Sequence, residues 1–289
     1  MRRACVRSCS CDGDPSVVLL GGGGVWCTGT LIAPEVVLTA AHCISANNNF
    51  IYLGPRYLGD AGGATIGVAR SYQHPDYATN KDVDIGIVVL SAPSAVTPSA
   101  INTTALGASN VGADVHVVGF GDTSNPTEPL FTKMQVDVPI SSVASDAFYT
   151  GPAICSGDSG GPAMLSVNGS SVLAGVVSGH SIQACGGTAG YVRVDLYAQW
   201  IEDQIALAEA DAAGGDAAAE DASAGGEAGT DAGGDVGAEP NDGSSSGGCA
   251  VGSGAPSGNG WIAALLALAC WAWRRQYRRS TGNVAAAVA

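Results

Sequence analysis

From residue 16 to about residue 200 the chain alternates short apolar runs with clusters of Gly, Pro, Asn and Ser. The apolar runs are rich in Val, Ile and Leu, and they include 17–20, 36–38, 85–90, 115–118 and 172–177. Many short strands at such spacing predict an all-β sandwich or barrel. Helical periodicity is first seen at residues 196–208, where the sequence predicts a C-terminal helix.

Beyond residue 208 the composition changes to Ala, Gly, Asp, Glu and Ser, and it stays so to about residue 248. Such a segment buries too little apolar surface to offset the entropy of ordering, so we expect a flexible linker over 209–248. A helix is the alternative for its Ala-rich part, although each Gly-Gly pair costs helix stability. Ten acidic residues of this segment supply much of the net charge of -14, which therefore says nothing about a substrate.

Residues 249–280 begin at Cys249 and contain a short apolar run at 261–273 and an Arg-rich end. The run is shorter than the roughly 20 apolar residues that span a bilayer, and the arginines would stay on the cytoplasmic side. This segment resembles the C-terminal sorting tails of some Gram-negative bacteria, in particular the myxobacterial type. The resemblance implies attachment to the cell envelope, removal of the tail and modification of Cys249, and a packed amphipathic helix is the alternative.

The nine cysteines of the chain fit an oxidising compartment better than a reducing one. No Cys-x-x-Cys pair has a matching His or Cys pair, so neither a structural zinc ion nor another metal or cofactor is expected. Nucleic acid is an unsuitable partner, because only 12 residues are basic and several of them lie in the terminal tails.

Residues 1–14 contain three arginines but no apolar run of the length that a signal peptide needs. Either the true start lies upstream of residue 1 or this segment is a remnant, and because the tail indicates export, we expect the first. The sequence does not predict the fate of five cysteines, which are Cys5, Cys9, Cys11, Cys249 and Cys270.

Ser159 lies in a run of small residues, Gly-Asp-Ser-Gly-Gly-Pro at 157–162, which allows a sharp turn with an exposed hydroxyl. Acyl transfer requires such a serine, a base that removes its proton, and donors that bind the oxyanion of the tetrahedral intermediate. The amide groups of Gly157 and Ser159 are the candidate donors.

A histidine is the expected base, and of the four in the chain His42 has the most informative neighbours. It is followed by Cys43, which can anchor it through a disulfide to Cys27. The acid that orients the imidazole is expected at Asp84, directly before an apolar strand, with Asp82 as the competitor. The other three histidines fit ordinary structural positions, with His74 in a turn, His116 in a strand and His180 in a loop.

Four segments, at 27–32, 39–43, 84–90 and 157–162, resemble the trypsin and chymotrypsin family of serine proteases in their order and intervals. The resemblance covers about residues 15–206. It implies an all-β fold of two six-stranded antiparallel barrels with a C-terminal helix, in a protease domain at 15–208. The Gly-x-Ser-x-Gly pattern also fits the nucleophile turn of α/β-hydrolases, whose catalytic histidine comes last in the chain. Too few residues separate Ser159 from His180 to include the acid and helices that this fold requires between them.

The resemblance also assigns roles to the three residues. Ser159 attacks the peptide bond and is acylated, His42 transfers the proton, and Asp84 holds the imidazole. The family further implies two disulfides, Cys27–Cys43 and Cys155–Cys185, of which the second crosses the specificity pocket.

Substrate contacts are likewise implied by the family. Ala153 would form the floor of the specificity pocket, where trypsin-type enzymes carry an aspartate, so an apolar or small residue is expected before the scissile bond. Ser178, Gly179 and His180 occupy the strand that pairs with substrate backbone. At the pocket wall His180 would favour an acidic or polar side chain, and a solvent-facing loop position is the alternative.

Family members usually begin with a free Ile-Val-Gly-Gly-like terminus, whose ammonium pairs with the aspartate before the nucleophile, here Asp158. No such segment precedes Pro15, and an unpaired buried carboxylate is costly. The protease domain is therefore expected to be zymogen-like or truncated in its N-terminal part. The sequence thus predicts a secreted or surface-attached, monomeric bacterial serine endopeptidase acting on protein or peptide substrates. A catalytically silent binding module on the same scaffold is the alternative, although the complete set of three residues argues against it.

Overall fold

The computed structural model describes residues 3–4, 14–22, 24–45, 48–122, 127–178, 185 and 187–223, with backbone alone at 3–4 and 214–223. Both barrels described below lie in one compact unit, Met1–Ala217.

Six strands form the first barrel. They are β2 (Val17–Gly22), β3 (Val25–Ala33), β4 (Val36–Thr39), β5 (Phe50–Leu53), β6 (Ala64–Gln73) and β7 (Gly86–Leu90). All neighbours are antiparallel, and the barrel closes in the order β2-β3-β4-β7-β6-β5.

Six further strands form the second barrel. They are β8 (Asp114–Gly119), β9 (Met134–Val143), β10 (Ala147–Thr150), β11 (Pro162–Val167), β12 (Ser170–Ser178) and β13 (Ala189–Arg193). The order is β9-β10-β13-β12-β11-β8, and pairing of β8 with β9 closes it. A short strand, β1 (Arg3–Ala4), pairs with the first residues of β9. The fold predicted from the sequence is confirmed.

Strand β2 shows why the apolar runs are continuous rather than alternating. Every residue of β2 is buried, because the two faces of the strand enter different cores. Val18 and Leu20 point into the first barrel, whereas Val17 and Leu19 pack against Phe120 of the second barrel. A strand buried on both faces has no polar side, so its sequence reads as one apolar run.

The C-terminal helix α1 spans Ala198–Ser223, so it extends beyond the 196–208 predicted from periodicity. Its N-terminal part is tied to the first barrel, since Ile201 and Ala208 join a core cluster built largely from that barrel and Arg70 forms an ion pair with Asp211. The helix continues into the start of the expected linker, where alanine favours helix and outweighs the Gly214–Gly215 pair.

Within the residues that the structure describes, no helix is both long and apolar enough to cross a membrane. The predicted tail at 249–280, most of the expected linker at 209–248 and the cysteines Cys5, Cys9 and Cys11 lie outside the described residues.

His116 joins the two barrels through a cluster of charged side chains. Its Nδ1 lies 2.6 Å from Asp137 Oδ1 on the paired strand β9, and its Nε2 lies 3.1 Å from Asp14 Oδ2. The backbone oxygen of Asp14, just before β2, also accepts a hydrogen bond of 3.0 Å from Lys133 Nζ. The hydrogen bond to Asp14, with that to Asp137, outweighs burial and raises the pKa of His116 to about 9.

We expect this cluster to make the stability of the protein depend on pH. Because the pKa of His116 is higher in the folded state than its ordinary value of about 6.5, its contribution is complete below pH about 6.5 and is lost as pH rises through about 9. After allowance for partial exposure, the contribution is about 2 kcal/mol. His116→Gln should remove this loss, as measured by urea unfolding between pH 6 and about 9.5.

His74→Gln is the control for this measurement. Burial lowers the pKa of His74, so its titration lies below the same pH window. The variant should keep the wild-type slope above pH about 6.5. An unchanged slope in His116→Gln would contradict the assignment.

Candidate active site

His42 and Asp84 form a pair at the edge of the first barrel. His42 lies in a 3₁₀ turn, Ala41–Cys43, that follows β4, and Asp84 lies just before β7, the neighbour of β4. Asp84 Oδ2 is 2.7 Å from His42 Nδ1, and Asp84 Oδ1 accepts a hydrogen bond of 2.9 Å from the His42 backbone amide. Two bonds to one carboxyl fix both the ring and the turn that carries it.

Asp84 is fully buried, and its surroundings favour the charged form. Ser178 Oγ, at the end of β12, donates a further hydrogen bond of 2.8 Å to Asp84 Oδ2. Burial raises the pKa of the Asp84 carboxyl, but the hydrogen bonds and charge of His42, with the bond from Ser178, outweigh it and hold the pKa below its usual value. The competing Asp82 is exposed, and Asp84 is the one in contact with His42.

Ser159 lies in the nucleophile loop, which we define as residues 151–161 between β10 and β11. Its backbone oxygen accepts a hydrogen bond of 2.8 Å from the Thr28 amide. The Sγ of Cys43, bonded to Cys27 in a disulfide, lies 3.6 Å from that oxygen and 3.7 Å from His42 Nε2. Because a disulfide sulfur carries no proton, these are packing contacts, and they bring the segments of Ser159 and His42 together.

Among residues 157–161 of the nucleophile loop, two of the five backbone amide groups find no acceptor in the described part of the chain. The amide groups of Asp158, Gly160 and Gly161 donate to carbonyl oxygens of Cys155, Val177 and Asp158, respectively, at 2.8–3.1 Å. Among the described residues, the amides of Gly157 and Ser159 find no acceptor. These are the two donors that the sequence predicts for an oxyanion.

The carboxyl group of Asp158 joins the nucleophile loop to the loop at Gly121. Its side chain is fully buried, and its two oxygens accept hydrogen bonds from the amides of Gly121, at 2.9 Å, and Cys155, at 2.6 Å. A carboxyl group in this position costs free energy unless it is hydrogen-bonded. These hydrogen bonds therefore fix Asp158, the residue before Ser159, against the loop that contains Gly121.

The predicted substrate contacts are only partly within the described residues. Ala153 is buried at the base of the nucleophile loop, and Cys155 is joined to Cys185 in the predicted disulfide. Ser178 is buried, and its hydroxyl donates a hydrogen bond to Asp84. The sequence did not predict this contact. Gly179 and His180 lie outside the described residues.

One group of potential metal ligands is present in the described part of the chain. Ligand-type atoms of Cys27, His42 and Cys43 lie within 4.8 Å of one another. The two sulfurs are joined in a disulfide, whereas metal ions bind cysteine as the thiolate. The group therefore fits a disulfide packed beside His42 better than it fits a metal centre.

Comparisons with known proteins agree with this geometry. The trypsin family model matches residues 9–201. Trypsin Blo t 3 of Blomia tropicalis is 32% identical over 224 residues, which cover 66% of this chain and 82% of that protein. Cationic trypsin-3 of Rattus norvegicus is 30% identical over 222 residues, covering 69% of this chain and 87% of that protein.

A similar solved structure is neuropsin, a serine protease expressed in the limbic system of mouse brain. It is 25% identical, with a TM-score of 0.59, and the match covers 71% of this chain and 98% of that one.

Among the glycines of the nucleophile loop, Gly160 is the one where an added Cβ would make the shortest contacts. Its φ is +79°, and a Cβ there would lie 2.0 Å from Thr39 Oγ1 and 2.4 Å from the Thr28 backbone oxygen. Gly169 is a matched control, because its φ is +83° but no atom lies within 4 Å of its Cβ position. Gly169→Ala should cost about 1–2 kcal/mol of unfolding free energy, and Gly160→Ala at least about 3 kcal/mol.

Urea unfolding of both variants would measure the difference, provided that the slope against denaturant stays the same. Equal losses in the two variants would mean that only backbone strain matters and that the contact with β3 and β4 does not.

Proposed function

The chain belongs to the trypsin family and is a serine endopeptidase, and we propose that it hydrolyses peptide bonds through an acyl-enzyme formed on Ser159. The observation that carries this proposal is the pairing of His42 with a fully buried Asp84 beside the loop of Ser159. An imidazole held through Nδ1 presents Nε2 as the base, and the sulfur of Cys43 links the two segments.

In the proposed mechanism His42 Nε2 accepts the proton of the Ser159 hydroxyl as its oxygen attacks the substrate carbonyl. The Asp84 carboxylate keeps the proton of Nδ1 in place and stabilises the imidazolium that forms. His42 then gives the proton to the leaving amine. Water, deprotonated by the same histidine, attacks the acyl carbon of the acyl-enzyme. The ester bond to Ser159 breaks, and His42 returns the proton to the Ser159 oxygen as the second product leaves.

The amides of Gly157 and Ser159 are proposed to bind the oxyanion. Support comes from the hydrogen bonding of the loop, in which the intervening amide of Asp158 points to Cys155. In the described residues the amides on either side of it have no protein acceptor. Donors fixed before the reaction need no reorganisation, and each is worth about 10²–10³ in kcat.

We propose that the specificity pocket accepts small or apolar side chains. Ala153, the expected pocket floor, carries no charge, and burial of a cationic side chain without a partner is costly. Ser178 and Gly179 would pair with the substrate backbone, and His180 would border the pocket.

The wider setting of the enzyme is also a proposal. We infer a monomeric protease domain at 15–208, a linker at 209–248 and a sorting segment at 249–280, which together place a bacterial enzyme outside the cell or on its envelope. Support comes from the disulfides, Cys27–Cys43 and Cys155–Cys185, which persist in oxidising compartments. Protein or peptide is the substrate, and the proposed chemistry needs no metal or organic cofactor.

The test is labelling of the purified, folded protein by a fluorophosphonate probe, with the modified residue identified by mass spectrometry. The wild type should be labelled on Ser159, and Ser159→Ala and His42→Ala should not be labelled. Asp84→Asn should lower the labelling rate by orders of magnitude, because the imidazole loses its orientation and its tautomer. Asp82→Asn, in the exposed neighbour, should leave the rate unchanged.

A folded wild-type sample that is never labelled would contradict the proposed mechanism. An unactivated precursor would then be the first alternative, and the silent binding module the second. A rate that falls as much in Asp82→Asn as in Asp84→Asn would instead overturn the assignment of the acid.

Substrate preference gives a second prediction. Ala153→Asp should shift cleavage towards Lys or Arg before the scissile bond, because a carboxylate at the pocket floor would pair with the cation. A panel of peptide substrates that differ at this residue would measure the shift in kcat/KM. Ala108→Asp adds the same charge at an exposed position and should leave the preference unchanged, and no shift in Ala153→Asp would mean that Ala153 is not the floor.

A further inference from the structure

Thr28, on β3 of the first barrel, is completely buried and contacts the nucleophile loop of the second barrel. Its hydroxyl donates a hydrogen bond of 2.9 Å to the backbone oxygen of Gly157. Its backbone amide donates one of 2.8 Å to the oxygen of Ser159. One residue of the first barrel thus holds the carbonyl groups on both sides of Asp158.

The same hydroxyl is also an acceptor. It receives a hydrogen bond of 3.0 Å from the buried amide of Phe120, the residue before Gly121. Gly121 in turn donates to Asp158. The Thr28 hydroxyl therefore joins two loops of the second barrel, both of which are in contact with Asp158.

Thr28 itself is fixed in place. Its backbone oxygen accepts a hydrogen bond of 2.8 Å from Thr39 Oγ1 on β4. The threonine side chain has few rotamers, and its hydroxyl can donate and accept at once. These properties suit a rigid connection from the sheet of the first barrel to a loop that has no regular structure of its own.

The hydrogen bond to the Gly157 carbonyl also constrains the direction of the Gly157 N–H. The residue has a φ of +92°, in a region where glycine has several alternative conformations. The Gly157 oxygen and the Asp158 N–H belong to the same peptide unit, and the hydrogen bonds from Thr28 and to Cys155 hold that unit at both atoms. Together they limit the directions that the Gly157 amide can take.

We propose that Thr28 is a positioning residue for the oxyanion hole, acting through its side-chain hydroxyl on Gly157. The inference rests on the proposed function, because it assumes that the amides of Gly157 and Ser159 bind the oxyanion. Without the hydroxyl, the Gly157 peptide turns more freely, and the buried Phe120 amide loses its acceptor.

The chain supplies a matched control in Thr30. This threonine lies two residues further along β3, is also buried, and its Oγ1 has no hydrogen-bond partner among the described residues. Thr30→Val should preserve both stability and activity, since it removes no hydrogen bond. Thr28→Val has the same change in chemistry and volume but removes two bonds.

The experiment compares Thr28→Val, Thr28→Ser and Thr30→Val with the wild type in kcat, KM and inhibition by a peptidyl trifluoromethyl ketone. The hemiketal oxygen of that inhibitor, formed with Ser159, occupies the oxyanion hole as the reaction intermediate does. Thr28→Val should lower kcat about tenfold with little change in KM, less than the 10²–10³ for loss of a donor itself. Its inhibition constant should rise by the same factor, and Thr28→Ser should restore both values.

Each outcome has a distinct meaning. A wild type without kcat or inhibition would contradict the proposed function, whereas an active wild type with kcat unchanged in Thr28→Val would overturn the role of Thr28 alone. A loss of kcat without a matching loss of inhibitor affinity would also overturn it. If Thr28→Val does not fold, Thr28→Ala, which leaves room for a water molecule, is measured in its place and the same pattern is expected.

Discussion

Two carboxyl groups without solvent exposure, those of Asp84 and Asp158, lie at the site and determine how the chain around them is arranged. A buried polar group without hydrogen bonds costs roughly 2–7 kcal/mol, so each must be supplied with donors. Asp84 obtains its donors from His42 in the first barrel and Ser178 in the second. Its environment is complete only when both barrels are folded and docked.

Much of the fold and part of the site could be predicted from the sequence because they depend on local patterns. Short apolar runs between turn residues indicate strands whatever their partners, and the all-β prediction was confirmed in the two barrels. The choice of Asp84 over Asp82 also had a local basis, since Asp84 directly precedes an apolar strand. The end of α1 was less predictable, because alanine and glycine in the same segment have opposite helix propensities.

The contacts that complete the site could not be predicted, because they join residues far apart in the chain. Ser178 is 94 positions from Asp84, and Thr28 is 129 positions from Gly157. Thr28 lies in a segment that resembles the protease family, and the same resemblance assigns Ser178 to the substrate-binding strand, but no local feature predicts either side-chain contact. Thr30 has the same residue type and burial as Thr28 but no partner for its hydroxyl among the described residues, so only the three-dimensional structure tells the two apart. His116 was likewise read as an ordinary strand residue, although it lies between two carboxyl groups.

The two long-range contacts run in opposite directions between the barrels. Ser178 of the second barrel holds Asp84 of the first, and Thr28 of the first barrel holds Gly157 and Ser159 of the second. Each barrel therefore contributes hydrogen bonds to the part of the proposed machinery that the other barrel carries. A small rotation of one barrel would stretch both sets of hydrogen bonds at once. Partly docked arrangements of the barrels are therefore less stable than they would be with either set alone. Docking of the barrels and alignment of the site are thus the same structural event, because the residues that secure one also secure the other.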